Sequence, residues 1–315
     1  MNLSKNIFVK SLKFLVSPFF FIYGYIFFCF TKKTTNLIYQ SYVKTYCLSS
    51  GFIIEIVTFF IQVLSKSRKK NIINNKKIID INNELKNNGY VVLKNKLDNK
   101  LLNGLIDVTK DLGCNNNQLN VNFTKEVFDK EIHNLSTYYY SENELLENSA
   151  VQNTIKFLQE LCIADEYFKS KPYLVATNMW WSTIGDKVDS FAAQDFHFDL
   201  DGIKWLKYFI YLTDVTTNNG PHVYVEGTHK PFSKPYDILM RGYSRVSDRE
   251  IEKNYPLKKI KTITGDKGTI IIGDTSCFHK GMVPKSDVRL IFEVTFANSY
   301  FGPSLANKHK IDQSN

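Results

Sequence analysis

Five times between residues 173 and 297 the chain returns to a short run rich in Val, Ile, Phe, Tyr and Trp, each set off by turn residues: 173–181, 205–215, 222–225, 268–272 and 288–297. Runs of this length and composition are strands, and strands need partners and a covered face. The two longest show period-two alternation. In 288–297, Leu290, Phe292, Val294 and Phe296 share one face, which leaves Arg289, Ile291, Glu293 and Thr295 on the other. In 205–215, Leu206, Tyr208, Ile210 and Leu212 lie opposite Trp205, Lys207, Phe209, Tyr211 and Thr213. Each strand thus has one wholly apolar face, fit for a core, and one mixed polar and aromatic face, fit for a cavity wall. Upstream the pattern is helical: a short helix stopped at Asn88-Gly89 and followed by a strand at 90–93, then helices over 100–112 and 142–161. Helices first and strands afterwards predict an α+β body built on a β-sandwich or barrel.

The net charge of +9 would suggest a nucleic-acid partner if it were spread over the 315 residues. It is not spread. Residues 1–70 hold ten Lys and Arg against the single acid Glu55, so the remainder is neutral, and no nucleic-acid partner is expected. The same 70 residues contain the uncharged run 14–31, FLVSPFFFIYGYIFFCFT, and a second apolar stretch at 51–64 that leads into Lys66-Ser67-Arg68-Lys69-Lys70. As a helix, 14–31 would rise roughly 27 Å against a hydrocarbon core of about 30 Å, and Pro18 and Gly24 interrupt it. Lysines on both sides set no orientation, and Phe28-Cys29-Phe30 makes a poor signal-peptide cleavage site. Two readings of this region stay open: a membrane-associated anchor, or helices packed on the body. We divide the chain into this apolar basic region, 1–70, and a globular body, 71–315. The five cysteines form no CxxC pair and read as reduced and structural, in a cytoplasmic protein associated with membrane only through 1–70.

Four of the six histidines fall in the β-rich half. In the stretch QDFHFD an extended backbone sends His197 and Asp199 to the same side, a ready two-ligand arm. A third ligand would complete the two-histidine, one-carboxylate set that leaves positions open on Fe(II). His279, after the strand GTIII and the turn at Gly273-Asp274, is the natural candidate, with His222 and His229 as competitors. Arg289 lies ten residues further on, on the non-core face of its strand, where a guanidinium requires an anion. Lys207 is expected to hold a carboxylate of cosubstrate or substrate, the alternatives being an exposed edge position or a salt bridge to Glu293. Asp195 and Asp201 share a face with Asp199 if the strand stays regular, while His133 and His309 sit among polar residues.

These residues carry a resemblance. The stretches 87–97 (NNGYVVLKNKL), 196–230 (FHFDLDGIKWLKYFIYLTDVTTNNGPHVYVEGTHK), 265–281 (GDKGTIIIGDTSCFHKG) and 289–302 (RLIFEVTFANSYFG) resemble, in order and spacing, the phytanoyl-CoA dioxygenase family of Fe(II)/2-oxoglutarate oxygenases. The resemblance covers roughly residues 80–302. It implies a double-stranded β-helix of the jelly-roll, cupin-like kind, with iron held by His197, Asp199 and His279 and the distal carboxylate of 2-oxoglutarate held by Arg289. The implied reaction uses O2, decarboxylates 2-oxoglutarate to succinate and hydroxylates a C–H bond of a small or lipid-like substrate. Halogenation is disfavoured because Asp199 is present. A serine common in such enzymes two residues after the distal histidine is Gly281 here, so the cosubstrate either loses a hydroxyl contact or obtains it elsewhere. The rival expectation is a catalytically silent member of the fold acting as a membrane-associated binding module. A cupin-like isomerase, or a dioxygenase without 2-oxoglutarate, would leave Arg289 unexplained.

Overall fold

The computed structural model describes residues 16–65, 75–115, 127–130, 135–185, 193–242 and 244–302. Three apolar helices come first: α1 (Ser17–Thr31), α2 (Asn36–Ser49) and α3 (Phe52–Leu64). Then α4 (Lys76–Asn88) starts where the Asn75 side chain accepts hydrogen bonds from the Lys77 and Ile78 N–H groups, earlier than the short helix expected from the sequence. It ends at Gly89, whose φ is +86°. Only glycine serves there, since a Cβ at this position would lie 2.2 Å from the Cys277 Sγ. The chain passes directly into β1 (Tyr90–Val92), followed by α5 (Asn99–Asp111), β2 (Cys114–Asn115) and β3 (Thr137–Tyr140).

The single helix expected over 142–161 is two, α6 (Glu142–Glu147) and α7 (Ser149–Glu160). Asn148 takes an extended conformation between them and accepts the Ala150 N–H on its side chain, so a capping residue overrides the continuous apolar periodicity. After α8 (Ile163–Phe168) come the long strands β4 (Tyr173–Ser182) and β5 (Trp205–Tyr211), then β6 (His222–Val225), β7 (Ile260–Ile263), β8 (Ile270–Gly273), β9 (His279–Gly281) and β10 (Arg289–Ala297). Strand β5 stops four residues short of the expected run because the Thr213 hydroxyl, in place of a ladder carbonyl, accepts the Leu290 N–H.

All pairings among these strands are antiparallel. A seven-stranded sheet runs β1-β8-β5-β10-β4-β3-β2, and a three-stranded sheet runs β7-β6-β9. The core faces read from the sequence hold: Leu206, Tyr208, Ile210, Leu290, Phe292, Val294 and Phe296 pack under α5, α7 and α8 in one cluster. From the other face, Phe209, Tyr211, Ile271 and Ile291 meet Tyr224 and Ile263 of the small sheet. The fold is therefore mixed α and β, with two antiparallel sheets face to face and helices on the outer side of the larger one. The described strands form two sheets and not one closed barrel.

A third cluster joins the N-terminal helices to this body. Phe21, Phe28, Tyr42, Tyr46 and Ile54 are buried with Phe198, Trp205, Phe278 and Phe301. Polar contacts lie among them: the Tyr42 hydroxyl donates to the Gly202 carbonyl, and the Lys204 ammonium stands 2.9 Å from Glu55 and 3.1 Å from Asp274. On α1 the inner stripe is Phe21, Gly24 and Phe28, while Phe20 is more than half exposed. Phe21→Ala should therefore lower the stability of the full chain by about 3–5 kcal/mol in equilibrium urea denaturation. Phe20→Ala should stay within about 0.5 kcal/mol of the parent.

Candidate metal centre

Two short stretches far apart in sequence meet edge to edge. His197 and His279 form an isolated antiparallel bridge, the His197 N–H donating to the His279 carbonyl at 3.0 Å and the His279 N–H returning a bond to the His197 carbonyl at 2.8 Å. The pair brings the two imidazole centroids to 4.2 Å. Two residues on, the Asp199 N–H donates to the Thr275 carbonyl at 2.8 Å, so the extended backbone continues and Asp199 turns to the same side as His197.

Each ring is held in one orientation by its own backbone. His197 Nδ1 lies 2.9 Å from the Asp195 carbonyl and His279 Nδ1 lies 3.0 Å from the Cys277 carbonyl. A proton on each Nδ1 leaves both Nε2 lone pairs free. Those nitrogens sit 3.7 Å from the two Asp199 oxygens, one each. One ligand atom from each residue falls within 4.8 Å of the others, and all three side chains are buried. Burial, with the His279 ring beside it, pulls His197 down to about 3, and burial lowers His279 as well. Both imidazoles are therefore neutral at ordinary pH. Burial opposes charge on Asp199 too, but the Lys207 ammonium 2.8 Å away holds its carboxyl well below the usual range. Two neutral imidazoles and one carboxylate are a donor set for a divalent transition-metal ion.

Lys207 reaches this carboxylate and stands 3.1 Å from Asp201, so its partners are these two acids and not Glu293. Glu293 accepts from Asn178 and Thr295 instead. Lys207, Asp199, Asp201, Glu293 and Asn178 face a cavity of about 260 Å³, which Arg289 also lines. Arg289 is 4% exposed. Its Nη2 donates to the Ser182 hydroxyl at 3.0 Å, while Nε and Nη1 have no hydrogen-bond partner. Burial without a facing carboxylate pulls this guanidinium down to about 10. A buried guanidinium with two unused donors fits an anion such as a carboxylate.

Neither competing histidine joins the donor set, although His222 lines the same cavity. His222 stacks on Tyr211, with its Nδ1 3.2 Å from the Tyr211 hydroxyl. His229 has its Nδ1 3.5 Å from the Cys277 Sγ and its Nε2 3.2 Å from the Lys86 carbonyl. His133 and His309 lie outside the described residues. Several members of the site were not read from the sequence, among them Ser182, Asn178, Trp180 and Arg245. Ser182 faces Arg289 only through the β4–β10 register, which pairs the two directly. Trp180 and Arg245 line the cavity from β4 and from an irregular segment, and nothing in their local sequence marks them.

Neither a family model nor a curated protein matches the sequence. Solved structures do. The non-heme alpha-ketoglutarate-dependent epimerase SnoN from nogalamycin biosynthesis aligns at a TM-score of 0.50 and 14% identity over 70% of this chain and 82% of its own. SnoN in complex with Fe3+, alpha-ketoglutarate and nogalamycin RO aligns at 0.51, with the same identity, over 70% and 83%. HygX from Streptomyces hygroscopicus, with nickel and 2-oxoglutarate bound, aligns at 0.46 and 14% identity over 73% and 87%. The likeness to SnoN is one of fold.

The Lys207 contact makes a prediction about the metal-free protein. Lys207→Met strands a buried carboxylate, so it should destabilise the chain by about 3 kcal/mol in denaturation with chelator present. Saturating Mn(II) should restore part of that loss, since the ion then compensates Asp199.

Proposed function

We propose that this chain is an Fe(II)- and 2-oxoglutarate-dependent oxygenase of the phytanoyl-CoA dioxygenase kind, hydroxylating a C–H bond of a small or lipid-like substrate. One observation carries the reading: a buried His-Asp-His donor set and a buried guanidinium with two unused donors line the same cavity. The metal would be held by His197, Asp199 and His279. The distal carboxylate of 2-oxoglutarate would be held by Arg289, whose fork matches a carboxylate at two points. Bound iron and 2-oxoglutarate supply the oxidising chemistry with O2, and succinate and carbon dioxide are the co-products.

The residues of the chain bind, orient and exclude. The backbone acceptors at Asp195 and Cys277 keep both Nδ1 positions protonated, so each imidazole offers only Nε2. Lys207 keeps Asp199 ionised and fixes one of its oxygens. Ser182 stands where the hydroxyl missing at Gly281 would be needed. A Cβ at 281 would lie 3.1 Å from Arg289 Nη2, so glycine leaves the guanidinium room and the hydroxyl comes from the neighbouring strand. Every group in this scheme belongs to the body, 71–315, and residues 1–70 contribute none. SnoN and HygX, which hold 2-oxoglutarate with iron and nickel respectively, support this choice of cosubstrate.

The test is anaerobic titration of the full chain with Fe(II) and 2-oxoglutarate, read as a weak visible charge-transfer band. His279→Ala should abolish tight iron binding and the band, whereas His222→Ala and His229→Ala should retain them. Arg289→Lys keeps the charge but loses the planar two-point contact, so 2-oxoglutarate should bind about 1.5–3 kcal/mol more weakly with iron affinity unchanged. An undiminished 2-oxoglutarate affinity in Arg289→Ala would remove the cosubstrate assignment. Admitting O2 should then release succinate, which a silent binding module would not produce.

A further inference from the structure

We infer that α1 and α3 seat this protein on an anionic lipid bilayer, lying flat in its headgroup region with their outward faces inserted. The observation is an inverted amphipathic pattern. On α3 the one acid, Glu55, is paired with Lys204 of the body although its side chain stays 42% exposed, and Thr58 is buried. Outward, at helical spacing, stand Phe52, Ile56, Phe59, Phe60, Val63 and Leu64, all exposed. On α1 the inner stripe is satisfied by the body, yet Phe19 (76%), Tyr23 (73%) and Phe30 (85%) are open on the other side with no charge among them. Phe52 rests against Phe232, itself 72% exposed, so the apolar face of α3 continues onto the body. A helix whose single charge is neutralised by a lysine of the body and whose phenylalanines face outward suits an apolar medium outside.

Charge and length choose which medium. The first 70 residues carry ten cations, and their only acid is the one already paired with Lys204. Lys32 and Lys33 are exposed at the C-terminal end of α1. Exposed aromatics bordered by lysines match an anionic headgroup layer over acyl chains better than a neutral protein face. No single described helix is long and apolar enough to cross a membrane, and α2 meets α3 at 115°. Standing that pair across a bilayer would strip the buried Tyr42 and Tyr46 of α2 from the body, whereas lying flat disturbs nothing.

The test is co-sedimentation of the full chain with vesicles of phosphatidylcholine alone or with added phosphatidylserine, in chelator so that the metal site plays no part. The chain should pellet with the phosphatidylserine vesicles, less with the neutral ones, and less as salt is raised. The triple variant Phe59→Ser, Phe60→Ser, Val63→Ser should bind about a hundredfold more weakly while keeping the parent's unfolding midpoint, since these side chains are exposed. Phe19→Ser with Phe30→Ser should act in the same direction from α1. Leu257→Ser, at an exposed apolar position elsewhere on the body, should bind like the parent. The inference is overturned if the parent pellets with neither vesicle, or if the triple variant binds undiminished. It is also overturned if the vesicle-free chain is a dimer that the triple variant turns into a monomer, which would assign the face to a second copy. None of these outcomes bears on iron or 2-oxoglutarate binding.

Discussion

The pair of backbone hydrogen bonds between His197 and His279 is the constraint on which the site depends. A bridge of one residue pair would be trivial inside a ladder, but here it joins the start of β9 to an irregular segment between β4 and β5, and it sets the spacing of two side chains. With the rings placed, the Asp199–Thr275 bond fixes the carboxylate, and the carboxylate in turn collects Lys207. Burial then does the electrostatic part. It keeps the imidazoles neutral and makes the ammonium–carboxylate contact strong, because little water remains to compete.

The same burial makes Arg289 informative. Surface arginines find water and need no explanation. Arg289 stands on the central strand of the larger sheet, paired on one side with Ser182 and otherwise open to the cavity. A polar face enclosed between two sheets is costly to maintain, and its cost is offset only when something fills it. The donors that Arg289 turns into the cavity suit a carboxylate, whatever the likeness to other proteins.

What the sequence made legible follows from periodicity. Alternation in 288–297 separates Leu290, Phe292, Val294 and Phe296 from Arg289 and Glu293, and the structure keeps that division. The HxD spacing put His197 and Asp199 on one side for the same reason. Long-range pairing was not legible. The register that sets Ser182 against Arg289, and the choice of Lys207 between Asp199 and Glu293, depend on how strands from distant parts of the chain align. Local periodicity contains neither. The Asn148 break was missed because apolar spacing continues across it while a single side-chain cap ends the helix. In residues 17–64 the difficulty was different: α1 is apolar on all sides, so no pattern in it distinguishes the face on the body from the face turned away.

Phe301 gives the fold a temporal order. Its ring touches Phe21, Tyr25, Phe28 and Tyr42, so the first helices of the chain are closed by almost the last described residue. Contacts of such sequence separation form late, because the loop between them must close first. On a ribosome adding about 5–20 residues per second, the interval from Phe21 to Phe301 is roughly 15–60 s. Throughout it α1 has its neighbour α2 to pack on, through Ile38 and Tyr42, but no body to close over the pair. Whatever receives the nascent helices in that time, lipid or chaperone, meets them before the body exists to claim its share of them.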